Sequence, residues 1–103
     1  MRYLTTTFSP AMLGAGCSAE VSPLANVGEV PVDLVSAVGH EVTAKILAVL
    51  LGREVLFSRA NLALKGGDEV WCVIPTLRAA EAREFSLAEV QGAGFRAWYV
   101  RVR

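Results

Sequence analysis

Residues 33–52 read Asp-Leu-Val-Ser-Ala-Val-Gly-His-Glu-Val-Thr-Ala-Lys-Ile-Leu-Ala-Val-Leu-Leu-Gly, and the hydrophobic period changes in the middle of them. From Asp33 to Val38 the stretch is almost unbrokenly apolar, which predicts a fully buried strand. From about His40 to Leu51 the apolar residues Val42, Ile46, Val49 and Leu50 fall at i, i+4, i+7 and i+8, one face of a helix, and Leu47 and Leu51 widen that face. Gly52 is placed to end it. A strand that runs through Gly39 straight into a helix marks an α/β chain. With helices and strands interleaved elsewhere too, the expected architecture is a compact mixed β-sheet flanked by short helices.

Working outward, Tyr3 to Phe8 is β-branched and aromatic and reads as a first strand. Ser9 and Pro10 suit the cap and first position of a short helix that Gly14 and Gly16 stop. Residues 19–32, interrupted by Pro23, Gly28 and Pro31, read as loop with a short edge strand. Past the helix a hairpin is expected, with 54–57 and 60–65 extended, Gly66-Gly67-Asp68 turning, and Glu69 to Ile74 returning before Pro75. Ser86 followed by Glu89 is a capping box for a second helix that Gly92 and Gly94 end. Phe95 to Val102 alternates as a last strand. Without repeats, low-complexity tracts or linkers, residues 1–103 form a single domain, and 53% apolar residues supply its core.

Charge narrows the ligand. Ten basic and ten acidic residues cancel, so no general field attracts long nucleic acid, and an anionic partner must be small and held by a few placed arginines. Cys17 and Cys72, far apart and accompanied by one histidine, make neither a disulfide scaffold nor a four-ligand metal set, so no metal or other cofactor is expected. Ile46 to Leu51, the longest aliphatic run, is too short to cross a bilayer. The stretch before Cys17 is too polar for a lipoprotein leader. The expectation is a soluble cytoplasmic protein without membrane contact.

His40, the single histidine, sits at a strand-to-helix junction, where free N–H groups favour anions, and its side chain exchanges protons near neutral pH. Spacing alone favours the plainer reading, since one histidine near a helix start is more often a polar cap. Arg59 and Arg78 can grip phosphate bidentately. Arg78 with Glu81 also fits a surface ion pair worth under about 1 kcal/mol. Gly14-Ala15-Gly16 matches no dinucleotide or P-loop fingerprint. Trp71, Trp98 and Tyr99 could stack on bases, but their strand periodicity favours core or interface packing.

Phe8-Ser9-x-x-Met12-Leu13, then Ser36-Ala37-Val38-Gly39-His40-Glu41-x-Thr43-Ala44, then Leu50-Leu51-Gly52-x-Glu54, are followed in order by Arg59, Gly67-Asp68 and Arg78-x-x-Glu81. In these the chain resembles the small ring nucleases of archaeal viruses and phages that act as type III anti-CRISPR proteins, which have bacterial relatives encoded beside type III CRISPR systems. The resemblance covers nearly the whole chain and is weakest at residues 14–32. It implies a homodimer that binds cyclic tetra-adenylate on its dyad and cleaves it without metal to linear di-adenylates ending in a 2′,3′-cyclic phosphate or 3′-phosphate, switching off type III signalling. It implies His40 as general acid, Arg78 as clamp on the reacting phosphate, and Glu81 as an orienting group. Ser9, Gly39 and Arg59 become candidate substrate contacts. Relatives commonly carry asparagines where this chain has Thr6 and Ala11, and Arg-Leu-Pro-Glu-Gly at residues 78–82. Two other readings stand beside catalysis. One is a sensor or sponge that binds the ring without cutting it. The other is an interaction protein dimerising through the strand at 95–102.

Overall fold

Val70, Trp71, Cys72 and Val73 are all buried although neighbours in a strand point to opposite faces. The strand that holds them, β4 (Glu69–Pro75), must therefore be covered on both faces. The computed structural model, which describes residues 1–59 and 61–103, shows how. β1 (Arg2–Thr5) lies parallel along one edge, with Leu4 opposite Trp71 and Thr5 opposite Cys72. β5 (Phe95–Val102) runs antiparallel along the other, with Trp71 opposite Tyr99. β2 (Ala19–Pro23) pairs antiparallel with β5. β3 (Val35–Ser36) pairs parallel with β1. The sheet order is β2-β5-β4-β1-β3.

Two helices cover one face. α1 (Glu41–Leu51) lies between β3 and β4 in sequence and buries Ala44, Ile46, Leu47 and Leu50. Its C-terminus closes on Gly52 at φ 69°, a left-handed position that glycine takes without steric cost. α2 (Leu87–Ala93) buries Val90, and the Ser86 hydroxyl accepts from the Glu89 N–H as the capping pattern predicted. Leu4, Trp71, Val73, Phe85 and Ala97 complete this core. On the opposite face Val70, Val100 and Val102 are covered by Leu64 together with Phe8, Met12, Leu13 and Leu62. The turn before β4 is pinned by Asp68, whose carboxylate is 2% exposed and accepts from the Lys65 N–H and the Met1 ammonium, both at 3.0 Å.

The single-domain α/β class, β5, the edge placement of β2 and both helices agree with the sequence reading. Three expectations need correction. The predicted buried strand over Asp33–Val38 is only the two-residue β3, and it lies at the sheet edge with Val35 47% exposed. The first strand stops at Thr5 rather than running to Phe8, because the chain bends at Thr6. The hairpin does not form. β4 pairs with β1 and β5, while the bridges seen for the preceding segment among the described residues are the isolated ones Val38–Phe57 and Leu13–Leu64, outside the named strands. Residue 60 of the expected 60–65 extension lies outside the described residues. The Gly66–Gly67 turn is present, with Gly67 at φ 96°, but it delivers a loop to a central strand. β5 has β4 along one edge and β2 beside Trp98–Val102 on the other, so within this sheet it is an interior strand.

Candidate functional site

β1, β3 and β4 point the same way, so their carboxyl ends open at one rim of the sheet, where α/β folds leave a crevice. A groove of about 690 Å³ lies there. Thr6 and Thr7 enter it from the exit of β1, residues 40–43 and Ile46 from the start of α1, and Ile74 and Pro75 from the end of β4. Leu77 to Ala80, in the loop leaving β4, form the remaining wall and bring Arg78. His40 and Arg78, far apart in sequence, thus line one groove.

Each is held by local structure. His40 is the N-cap of α1 in an extended conformation, yet its side chain makes no capping hydrogen bond. The imidazole is exposed and makes no hydrogen bond among the described residues. The positive end of an 11-residue helix, without a side-chain cap, faces the groove through Glu41, Val42 and Thr43. The loop carrying Arg78 is fastened at both ends. The Thr76 N–H donates to the Gly94 carbonyl at 3.0 Å. Further on, Phe85 is buried, and Arg83 lies 4.3 Å over its ring while bonding both oxygens of Glu89. Arg78 itself is exposed, and no ion pair joins it to Glu81 among the described residues.

The other candidates lie apart. Glu81 is exposed on the same loop but outside the groove lining. The carboxylate that does line the groove is Glu41, which sequence reasoning passed over although it adjoins His40. Ser9 caps a short 3-10 turn over Pro10–Met12, accepting from the Ala11 N–H at 3.3 Å, and is not in the lining. Gly39 precedes His40, and a side chain added there would lie 3.9 Å from the Ser58 carbonyl oxygen. Arg59 is exposed, with its guanidinium 5.6 Å over the Phe57 ring and outside the lining. Thr6, Thr7 and Thr43, three hydroxyl residues in the groove, had no composition signal beyond their place after a strand and at a helix start.

Both cysteines are free, and burial pushes the Cys72 thiol up to about 11, keeping it neutral. Among the described residues no three histidine, cysteine or acidic side chains gather as a metal set. Trp71 is buried and packs against Tyr99 at 4.9 Å, so both belong to the core rather than to a base-stacking surface. Trp98 is half-buried under the Arg96 guanidinium at 4.9 Å. Among the described residues no helix is long and apolar enough to cross a membrane.

A five-stranded mixed sheet with two helices on one face and a groove at the rim of its parallel strands defines a small α/β protein of one particular class. The chain belongs to the STIV B116-like family, whose model matches residues 21–97. It is 29% identical over 109 residues to uncharacterized protein ORF116 of Acidianus filamentous virus 1, covering 97% of this chain and 94% of that protein. Uncharacterized protein 26 of a Sulfolobus islandicus filamentous virus is 32% identical over 69 residues, 66% of this chain and 58% of its own length. Among solved structures, B116 of Sulfolobus turreted icosahedral virus superposes with a TM-score of 0.80 over 97% of both chains at 21% identity, a likeness of fold. The similarity to proteins of archaeal viruses expected from the sequence thus holds for family and fold.

Proposed function

We propose that this chain is a metal-independent ring nuclease that cleaves cyclic tetra-adenylate. The observation that carries the reading is the meeting of His40 and Arg78 in one groove at the uncapped start of α1, the two groups that internal transesterification needs. A ribose 2′-oxygen forms a bond to its neighbouring phosphorus while the bond from phosphorus to the 5′-oxygen breaks. Arg78 holds the phosphate and offsets the charge that develops on it. His40 gives its proton to the departing 5′-oxygen as the 2′-hydroxyl proton leaves to solvent. One groove has one such pair. A ring of four identical nucleotides has twofold symmetry, so a C2 homodimer presents the pair twice and doubles the arginines around the phosphates, which reconciles an anionic ligand with a chain of zero net charge.

One feature favours a second reading. Glu81, the expected orienting carboxylate, stands outside the groove, as suits a protein that holds the ring without cutting it. Single-turnover measurement with protein in excess separates the two. The native protein should convert the ring, and His40→Ala should bind it while cutting roughly 10²- to 10⁴-fold more slowly. A ring bound but left intact by the native protein would make the chain a sponge or sensor. A ring that does not bind at all would end both readings.

A further inference from the structure

The wall of the groove built by Thr6 and Thr7 hangs from the end of a strand, where nothing in the ladder holds it. β1 makes its last paired contact at Thr5, opposite Cys72, and the chain bends immediately after. Thr5 is 1% exposed, which is unusual for a polar side chain and demands a hydrogen-bond partner. The partner is the backbone of Thr7, twice over. The Thr5 hydroxyl donates to the Thr7 carbonyl at 3.1 Å and accepts from the Thr7 N–H at 3.3 Å. One oxygen therefore satisfies the N–H and the carbonyl of a residue that has just left the sheet, and closes a turn with Thr6 at its apex.

We propose that Thr5 is a positioning residue, a buried hydroxyl clip that fixes the β1 exit as a wall of the groove and so sets how the substrate seats, without touching it. The idea deepens the ring-nuclease reading and rests on it for the seating of substrate. The clip itself stands on the two hydrogen bonds. Free of the clip, Thr7 would need water for both backbone groups, and the turn would open toward solvent at the rim where His40 and Arg78 lie.

Two near-isosteric variants separate the hydrogen bonds from the packing. Thr5→Val keeps the volume and removes the hydroxyl. Thr5→Ser keeps the hydroxyl and removes a methyl group. Amide hydrogen exchange on the unliganded protein should show the Thr7 N–H losing protection in Thr5→Val and keeping it in Thr5→Ser. With cyclic tetra-adenylate, Thr5→Val should raise KM about 3- to 10-fold, the fold-change that one net hydrogen bond carries. Its kcat should change little, while Thr5→Ser stays near native. Unchanged Thr7 protection in Thr5→Val, or equal KM effects in the two variants, would overturn the proposal and leave Thr5 as packing. If the native protein leaves the ring untouched, the functional reading falls, while the exchange measurement, which uses no ligand, still decides the clip.

Discussion

An imidazole that makes no hydrogen bond of its own is free to give its proton to a ligand, and His40 is such a group among the described residues. Arg78 is its counterpart, an exposed guanidinium on a loop fastened at Thr76 and Phe85. If Arg78 grips the reacting phosphate, Arg78→Ala should lose about 1.5–3 kcal/mol of transition-state stabilisation, the worth of a charged hydrogen bond. Arg78→Lys should restore part of it, because a point charge cannot reproduce the planar fork. Single-turnover rates and melting curves for both variants check this, with Tm nearly native in each. Unaltered rates would return Arg78 to the solvated surface. These two residues were legible in the sequence through their type and, by resemblance, their order. Glu41 and Thr43 stood in the same motif without an assigned role, and Thr6 only as a departure from relatives; what puts them in the groove is the meeting of three chain segments, which no local pattern encodes.

α1 and β4 show what local pattern does and does not specify. The 3.6-residue period located the helix to within one residue, and Gly52 located its end. Leu47, fully buried between helix and sheet, should therefore cost about 2–5 kcal/mol when cut to alanine, read by urea unfolding. The hairpin failed for a physical reason. β4 is an interior strand that takes a ladder partner on each edge, β1 and β5 from the two ends of the chain, while its two faces are buried by separate core clusters. Pairing at that sequence distance is invisible to periodicity. The turn before β4 also carries a pH dependence. Burial alone would raise the Asp68 carboxyl, but the Lys65 N–H and the Met1 ammonium outweigh it and hold the carboxyl below its ordinary value. A carboxyl lowered on folding stabilises above its unfolded pKa of about 3.9 and loses that contribution as pH falls below it. Asp68→Asn should thus be destabilised at neutral pH and progressively less as pH falls from about 3.9 through the lower folded-state value, as denaturant titrations from neutral into the acid range would show. An equal loss across that range would contradict the assignment.

The proposed ligand carries four phosphates while the groove lining holds one arginine, Arg78, and the proposed dimer would set two such arginines against the ring. Light scattering should give about twice the mass of one chain, and titration with cyclic tetra-adenylate should saturate near one ring for two chains, as a shared dyad requires. A monomer that fills its groove with one ring would remove the symmetry argument. The chemistry at the groove is tested most directly by the ends of the products. Cyclic tetra-adenylate incubated with the native protein in excess EDTA should give linear di-adenylates with a 5′-hydroxyl at one end and a 2′,3′-cyclic phosphate or 3′-phosphate at the other, at the rate seen without chelator. Products ending in a 3′-hydroxyl and a 5′-phosphate cannot arise from 2′-oxygen attack, and finding them, or a rate that collapses in EDTA and returns with manganese, would contradict the mechanism.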